Sequence, residues 1–420
     1  MVLVFSPFIH PKLHFVLSEI FGRRAGIPFQ ITSNEEDFHQ SDAAFKINYS
    51  EKNLTGIPLY NSGWLNHNSF EPDFKPAFSL QENLLCLFPE TDNKRFDLFA
   101  TCFWLLSRYE EYQHYQGDAY GRFCLKDSCL PVQWATENFL DTQINKFLKS
   151  IGLQPRNEFR IIPTADIDIA FKYLARPWPM RFAACLRDLM FHRNNLVERR
   201  KMMQDGKDPY DVFDWLCNAF HRFPDARIFW QMNRSRNGKD RQVPISQPLF
   251  LERLKECSTR IQSGIHPSWD SNRSEKQFLT ELNALEKRLE HPVQFSRQHF
   301  LACSFPQTFR NLNNAGILWD YTLGWAEQAG FRAGTAWPFG FYDVILDRPE
   351  SLAFIPSCIM DVSCRNYMAL NPAEAALLGC SLREKARREG GVFCFIVHNE
   401  SMSETGDWHG WRQVAEAWMS

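Results

Sequence analysis

The sequence predicts an α/β protein in which a smaller N-terminal α/β domain, residues 1–150, precedes a distorted (β/α) barrel of seven or eight strands, residues 151–420. Two observations support this prediction. The chain has 420 residues, which is enough for a small domain and a barrel of about 250 residues. After Gly152–Pro155 the pattern changes to short apolar runs that alternate with longer helical stretches, as in parallel βα units.

The N-terminal domain is expected to begin as an α/β unit. Val2–Phe5 is a short apolar run that predicts a strand, and Leu13–Phe21 has the apolar spacing of a helix. Phe96–Tyr112 also places apolar residues at helical spacing and ends in polar, charged residues. This stretch therefore predicts a buried amphipathic helix.

The end of that helix carries three charged residues, Arg108, Glu110 and Glu111. Such a group is either a functional site or a set of internal ion pairs. We predict ion pairs that fix this helix to the following domain.

Eight apolar runs are the candidate strands of the barrel. They are Phe159–Ile162, Ile228–Met232, Ile261–Ile265, Val293–Ser296, Gly316–Trp319, Gly330–Arg332, Phe354–Ile359 and Val392–Val397. Helices such as Lys276–Glu290 fill the gaps between them. Seven or eight such units fit a barrel better than an open sheet, although periodicity alone also allows a doubly wound sheet.

Polar residues capable of chemistry come directly after these apolar runs. They are Asp166, Asp168, His266, His299, Arg332, Asp361 and His398. In a parallel barrel these positions are the carboxyl ends of the strands, where loops converge and active sites form. We therefore expect these residues to meet in one cleft.

Asp166 and Asp168 lie at alternate positions after a strand. This spacing lets one carboxylate bind a cation while the other abstracts a proton nearby, although two loop carboxylates can also cap the next helix. Paired with an aspartate at another strand end, His266 is a candidate zinc ligand. His299 is a second candidate imidazole, and Arg297 beside it can hold a carboxylate by a bidentate contact.

Two later segments add candidates for substrate contact and proton transfer. Arg332 precedes Gly334, where the backbone can approach a ligand, and Trp337 can stack on a pyranose ring or fill the core. His398 ends the last apolar run. It can assist a leaving group by protonation, or it can be a buried histidine that a neighbour satisfies.

Composition disfavours several classes of protein. A formal net charge of -2 provides no field that attracts nucleic acid or an anionic membrane. The first residues lack the pattern of a signal peptide, and no apolar run approaches the ~18 residues of a membrane span. We therefore expect a cytoplasmic protein with no membrane span and no nucleic-acid partner.

Five segments of the second part carry a resemblance to a known family. They are Thr-x-Asp-x-Asp at 164–168, Gly-Ile-His-Pro-Ser-Trp at 264–269, Arg-Gln-His at 297–299, Gly-Phe-Arg-Ala-Gly-Thr at 330–335 and His-Asn at 398–399. Through them, residues from about 158 to 420 resemble the polysaccharide deacetylase (NodB-homology) superfamily. Specifically, they resemble a bacterial branch that carries an extra N-terminal domain of unknown function. Segments 106–112 and 121–123 resemble that N-terminal domain.

The resemblance implies a distorted βα barrel that binds one divalent metal, usually zinc, and removes N- or O-acetyl groups from sugar polymers. By the same resemblance, Asp166 matches the general base and Asp168 the metal-binding aspartate. His266 matches the first histidine of the metal motif, and His398 matches the late histidine that acts as an acid.

This chain departs from the family at one metal position, where Asp270 replaces the second histidine of the motif. The third metal ligand is therefore His299 or Asp270, and we predict His299. Arg297 and Arg332 both match the arginine that orients the base. The expected substrate-binding or orienting residues are Arg297, Arg332, Asp270, Trp337, Asp361 and Asn399.

The predicted function is a metal-dependent hydrolase that removes acetyl groups from a carbohydrate, with zinc as cofactor and an acetylated sugar or glycan precursor as partner. The alternative is a catalytically inactive carbohydrate-binding or assembly protein on the same barrel. A phosphatase or glycosyltransferase that uses the two aspartates is disfavoured, because neither chemistry requires histidines at these strand ends.

Overall fold

The computed structural model describes residues 1–67, 69–81, 84–92, 94–174, 197, 199, 204–233 and 238–420. Within these ranges the N-terminal region, residues 1–150, contains six strands. They are β1 (Val2–Phe5), β2 (Phe29–Thr32), β3 (Phe45–Asn48), β4 (Ile57–Pro58), β5 (Phe78–Gln81) and β6 (Leu84–Leu87). Strands β1 to β4 form a parallel sheet in the order β2-β1-β3-β4, and β5 pairs with β6 in an antiparallel hairpin.

The described helices of this region are α1 (Pro11–Leu17), α2 (Glu35–Gln40), α3 (Leu98–Leu106) and α4 (Phe139–Ser150). Helix α1 continues as a π-helix over Ser18–Ala25, so the strand and helix predicted at the start of the chain are confirmed. Helix α3 begins where the Asp97 carboxylate accepts the backbone N–H of Ala100 at 2.9 Å. All nine residues of α3 are buried. The prediction of a buried helix is therefore confirmed, but the prediction of a polar face is wrong.

The charged residues after α3 form the predicted ion pairs. Glu111 accepts hydrogen bonds from Nε of Arg108 at 2.8 Å and from Nε of Arg332 at 2.9 Å. Nη1 of Arg108 also donates to the carbonyl oxygen of Arg332 at 2.8 Å. Burial raises the pKa of Glu111, but the two guanidinium groups outweigh that effect and hold it below its usual value. The network ties the N-terminal region to the rest of the chain.

The larger sheet has nine strands within the described residues. They are β7 (Arg160–Ile167), β8 (Arg227–Trp230), β9 (Gln262–Ile265), β10 (Phe295–Ser296), β11 (Trp319–Asp320), β12 (Phe339–Asp343), β13 (Arg348–Phe354), β14 (Ser357–Met360) and β15 (Val392–His398). Their order is β12-β13-β11-β10-β9-β8-β7-β15-β14, and every neighbouring pair is parallel except β12 with β13.

This order is the one a barrel has, because the last strand, β15, lies beside the first, β7. Side chains from separate strands also share one interior cluster, which includes Ile162, Phe229, Tyr321 and Cys394. However, β12 and β14 are the two edges of the sheet and do not pair, so among the described strands no closed barrel is formed. The α/β class is confirmed, whereas closure of the sheet is not found.

The segment after β11 covers the edge of β14 instead. Backbone N–H groups of Ser357 and Gly330 donate to the carbonyl oxygens of Leu323 and Cys358 at 3.1 and 2.7 Å. The strand predicted at Gly330–Arg332 is therefore wrong, since this stretch is a turn that borders the sheet.

Helices follow most strands of the larger sheet, as βα units require. Those described are α5 (Phe213–Phe220), α6 (Pro248–Ser258), α7 (Glu275–Leu289), α8 (Gln307–Asn314), α9 (Pro372–Arg388) and α10 (Trp411–Met419). Helix α7 matches the predicted helix closely, and the Ser274 hydroxyl caps its start by accepting the N–H of Gln277 at 3.2 Å. Within the described residues, no helix has the length and apolar character needed to span a bilayer.

One apolar core runs through both parts of the chain. The ring of Tyr342 on β12 packs 5.2 Å from Phe15 of α1 and 5.0 Å from Phe103 of α3, measured between centroids. The N-terminal helices therefore cover the antiparallel edge of the larger sheet. A domain boundary at residue 150 stays a prediction.

Candidate metal centre and active site

The carboxyl ends of the parallel strands bring the candidate residues together in one cleft of about 580 Å³. Asp166 lies in β7 directly opposite His398 at the end of β15. His266 follows β9, and His299 follows β10 by three residues. Residues that are up to 232 positions apart in sequence thus share one edge of the sheet, as the pattern of strand ends predicts.

Three side chains converge on a common point. Nε2 of His266 lies 3.1 Å from Oδ1 of Asp168, and Nε2 of His299 lies 3.3 Å from Oδ2 of the same carboxylate. Their donor atoms all lie within 4.8 Å of one another. One carboxylate and two imidazoles form a donor set that suits a divalent metal such as zinc and leaves coordination positions for other groups.

The hydrogen bonding of His266 supports a cation at this point. Nδ1 of His266 lies 2.6 Å from the carbonyl oxygen of Arg297, and a carbonyl only accepts, so Nδ1 carries the proton. Nε2 of His266 faces Oδ1 of Asp168, and neither of these two buried atoms has a hydrogen-bond partner. A cation between them would satisfy both atoms, so the residues fit a metal.

The ring of His299 is oriented from behind by a carboxylate. Its Nδ1 lies 2.8 Å from Oδ1 of Asp240, which directs Nε2 toward Asp168. Burial lowers the pKa of His299, but the carboxylates of Asp168 and Asp240 outweigh it and raise the pKa to about 9. Burial raises the pKa of Asp168, yet the charge of the neighbouring His299 is the largest of the effects that outweigh burial and hold the pKa well below its usual range.

Asp166 is paired with an arginine beside this centre. Nη1 of Arg297 donates to Oδ1 of Asp166 at 2.8 Å, and both side chains are buried. Oδ2 of Asp166 lies 3.8 Å from Nε2 of His266, so this oxygen faces the converging ligands. The arrangement holds one carboxylate oxygen in place and leaves the other at the site.

His398 also lies near Asp168, with its Nε2 3.8 Å from Oδ2 of that residue. Its Nδ1 donates to Oδ1 of Asp361 at 2.8 Å, and its backbone N–H donates to Oδ2 of Asp361 at 2.7 Å. Burial lowers the pKa of His398, but Asp361 and Asp168 outweigh it and raise the pKa to about 10. An imidazolium held in this way presents its Nε2 proton to the cleft.

Four of the expected substrate-binding residues lie elsewhere. Arg332 is buried against Glu111 and does not contact Asp166, so the structure pairs the base candidate with Arg297 instead. Trp337 is buried, and its indole N–H donates to the carbonyl of Glu389 at 2.9 Å, which makes it a core residue.

Asp270 and Asn399 are also outside the converging group. Asp270 precedes a short 3₁₀ helix, Ser271–Arg273, and is not part of the set of donors around Asp168. The amide of Asn399 donates to the backbone carbonyls of Ile169 and Tyr210 at 3.0 and 3.1 Å, which positions the loop after β7.

Sequence reasoning missed several residues of the cleft. Asp240 gave no strand-end signal, because it lies in a loop beyond β8, and only its distance to His299 reveals its role. Tyr120 and Arg122 come from the N-terminal region yet line the cleft beside His299. The Gly-Arg-Phe segment at 121–123 was noticed only as part of a resemblance. No local pattern connects it with residues 180 positions later.

Comparisons with known proteins found one family model and similar solved structures. Residues 2–150 match a family of unknown function, DUF7033. Among solved structures, a protein assigned as a polysaccharide deacetylase from Mycobacterium smegmatis is similar at 15% sequence identity and a TM-score of 0.40, with 62% of this chain and 83% of that chain covered. Another, from Pseudomonas aeruginosa PAO1, is similar at 10% identity and a TM-score of 0.39, with 63% and 84% covered. The curated proteins contain no match.

Proposed function

We propose that this protein is a metal-dependent hydrolase that removes N- or O-acetyl groups from a carbohydrate. The observation that carries the proposal is the convergence of Asp168, His266 and His299 with two flanking pairs, Asp166 with Arg297 and His398 with Asp361. Hydrolysis of an acetyl group requires a base on one side of the carbonyl and an acid on the other, and the two flanking pairs supply both.

The metal ligands in this proposal are Asp168, His266 and His299, and zinc is the metal that the donor set favours. These residues would hold a divalent ion, which would supply Lewis-acid chemistry at the acetyl carbonyl and to water. The protein's own contribution is to fix the ligands: the carbonyl of Arg297 orients His266, and Asp240 orients His299.

Asp166 has the geometry of the general base. Arg297 holds its Oδ1, so Oδ2 accepts the proton of a water molecule that attacks the acetyl carbonyl. His398 has the geometry of the general acid, because Asp361 holds Nδ1 and leaves Nε2 to protonate the departing amine or alcohol. The orientation of both side chains is fixed before substrate binds, which is the main condition for efficient proton transfer.

The cleft suits a sugar. Its volume of about 580 Å³ lies in the usual range for small-molecule sites, and its lining combines aromatic rings such as Tyr120, Phe300 and Tyr367 with charged groups. Aromatic rings pack against the apolar faces of pyranoses, while polar groups bind the hydroxyls. We propose an acetylated sugar or glycan precursor as the substrate.

The test is acetate release from a panel of N-acetylated and O-acetylated sugars, measured with protein that has been stripped of metal and then reloaded with zinc. We expect release that depends on zinc and is lost in Asp168→Ala. Stoichiometric zinc without acetate release from any substrate would contradict the hydrolase proposal. Absence of bound metal after loading would favour a carbohydrate-binding protein instead.

A further inference from the structure

The N-terminal region reaches the cleft through one tight turn, Asp118–Arg122. The Asp118 carboxylate accepts the backbone N–H groups of Tyr120 and Arg122 through Oδ1, at 2.8 and 3.0 Å. Gly121 has a φ of +72°, a left-handed conformation that glycine adopts without strain. The local sequence thus builds a turn that projects Tyr120 and Arg122 toward the cleft.

Every nitrogen of the Arg122 guanidinium donates a hydrogen bond. Nε donates to Oδ2 of Asp118 at 2.7 Å, Nη1 donates to the carbonyl oxygen of Phe300 at 2.8 Å, and Nη2 donates to the hydroxyl of Tyr367 at 3.0 Å. The residue is 4% exposed. The three acceptors bind three separate nitrogens of a rigid fork, a geometry that the single nitrogen of a lysine does not reproduce.

The carbonyl that Arg122 holds belongs to a strained piece of backbone. Phe300 has a φ of +62°, and Leu301 has a φ of +53°. Neither residue is of a type that visits the left-handed region readily, so surrounding contacts must stabilise the conformation. Phe300 directly follows His299, whose ring lies 4.1 Å from the Phe300 ring between centroids. The conformation of this turn therefore sets where the imidazole of His299 points.

Tyr120 packs against the same turn through its ring. Its ring stacks on Phe300 at 5.2 Å between centroids with an interplanar angle of 20°. The Arg122 guanidinium lies 4.9 Å from the centroid of the Tyr120 ring. Both side chains of the N-terminal turn thus contact Phe300, one through its ring and the other through its carbonyl.

The third partner of Arg122 belongs to a second loop of the cleft. Tyr367 ends the π-helix Ser363–Tyr367, which follows Asp361 after β14. Asp361 in turn holds His398. Arg122 therefore joins the loop that carries His299 to the loop that carries the partner of His398.

We propose that Arg122 is a positioning residue for the metal centre, through which the N-terminal region holds the His299–Leu301 turn so that Nε2 of His299 faces Asp168. The inference rests on the metal site of the proposed function. Under this proposal, residues 2–150, which match a family of unknown function, take a direct part in forming the active cleft.

The test is zinc affinity, measured by competition with a chromophoric chelator, together with the visible spectrum of the Co²⁺-loaded protein. In Arg122→Gln we expect the zinc dissociation constant to rise about 10- to 100-fold, the usual effect of losing a group that orients a metal ligand. The Co²⁺ spectrum should also change, because the ligand geometry changes. Arg122→Lys keeps the charge but not the fork, and we expect it to recover only part of the affinity.

The matched control is Arg310→Gln. Arg310 also makes two contacts with one carboxylate, Asp343, at 2.5 and 2.9 Å, but it does not line the cleft. This variant should lose stability and keep wild-type zinc affinity. An Arg122→Gln protein that is folded by circular dichroism and binds zinc within twofold of wild type would overturn the proposal.

If Arg122→Gln does not fold, Asp118→Asn and Tyr367→Phe decide the question, since each removes one partner of the guanidinium. We expect about a 2- to 10-fold loss of zinc affinity in each. Wild-type affinity in both would overturn the proposal, and so would a wild-type protein that binds no metal. Zinc binding that depends on Arg122 without acetate release would contradict only the hydrolase function, so the two failures are distinguishable.

Discussion

The buried charged cluster around Glu111 and the one around Asp168 differ in one respect. Around Glu111, the guanidinium groups of Arg108 and Arg332 make hydrogen bonds with the carboxylate, and no buried atom of these three residues lacks a partner. Around Asp168, Oδ1 and the facing Nε2 of His266 are both buried without a hydrogen-bond partner. The first cluster is complete as a set of ion pairs, whereas the second leaves two facing atoms that a bound cation would satisfy.

The comparison shows how a structural cluster differs from a functional one when both are rich in charge. Ionised groups that satisfy each other contribute to the connection between elements. Buried polar atoms without a partner cost free energy, and a bound ion or an ordered water can compensate that cost. Asp168 lines the cleft and Glu111 does not, which agrees with a functional role for the first and a structural role for the second.

The largest effect should come from removing a ligand of the second cluster. Asp168→Ala and His266→Ala should not retain stoichiometric zinc, because two of three protein donors do not hold the ion in a closed geometry. Elemental analysis after dialysis measures this. Asp270→Ala is the control, since Asp270 is outside the donor set and its loss should leave the zinc content unchanged. Zinc lost in Asp270→Ala would show that the ligand assignment is wrong.

Removing the proposed base, Asp166, should lower the rate of acetate release without affecting zinc binding. Asp166→Asn should keep zinc and lower kcat for acetate release by roughly 10²- to 10⁴-fold, the usual contribution of a general base. The KM should change little, because the amide retains the shape of the carboxylate. Steady-state kinetics on zinc-loaded protein provide the check. Full activity would mean that Asp166 is not the base.

Breaking the first cluster should affect stability and not the metal. Glu111→Gln leaves Arg332 buried without a carboxylate and leaves Arg108 with Glu110 alone, which should lower the free energy of unfolding by about 3–5 kcal/mol. Denaturant unfolding measures this. As a control, Glu35→Gln removes an exposed pair with Lys52 and should cost less than about 1 kcal/mol. Loss of zinc from folded Glu111→Gln would contradict the separation of the two clusters.

A smaller effect on zinc affinity is expected at Asp240, which contacts the proposed metal ligand His299. Asp240→Asn weakens the hydrogen bond that orients His299 and should reduce zinc affinity about 10- to 100-fold without abolishing binding. Chelator competition gives the dissociation constant. Affinity equal to that of wild type would mean that Asp240 serves only the loop that contains it.

The smallest effect is expected at Trp337. Trp337→Phe removes the hydrogen bond to Glu389 and should cost roughly 1 kcal/mol of stability. Because the side chain is buried away from the cleft, KM for an acetylated sugar should not change. A marked rise in KM would restore the role in sugar stacking that the sequence suggested.

Much of the larger sheet could be predicted because its strands are short apolar runs between amphipathic helices, and that periodicity is local. The same pattern placed Asp166, His266 and His398 at strand ends, and the structure brings them together. Closure of the sheet could not be read in this way. It depends on whether β14 pairs with a distant strand, and the turn at Gly330 takes that place instead.

The sequence by itself determined the α/β class, the positions of most strands, and the edge of the sheet where polar side chains collect. Only the tertiary structure decided that Arg297 and not Arg332 pairs with Asp166, and that His299 and not Asp270 joins His266. The physical reason is distance along the chain. Arg297 bonds to a carboxylate 131 residues away, and Arg332 bonds to one 221 residues away. Which partner a charged side chain meets depends on packing over the whole fold, and no local pattern encodes it.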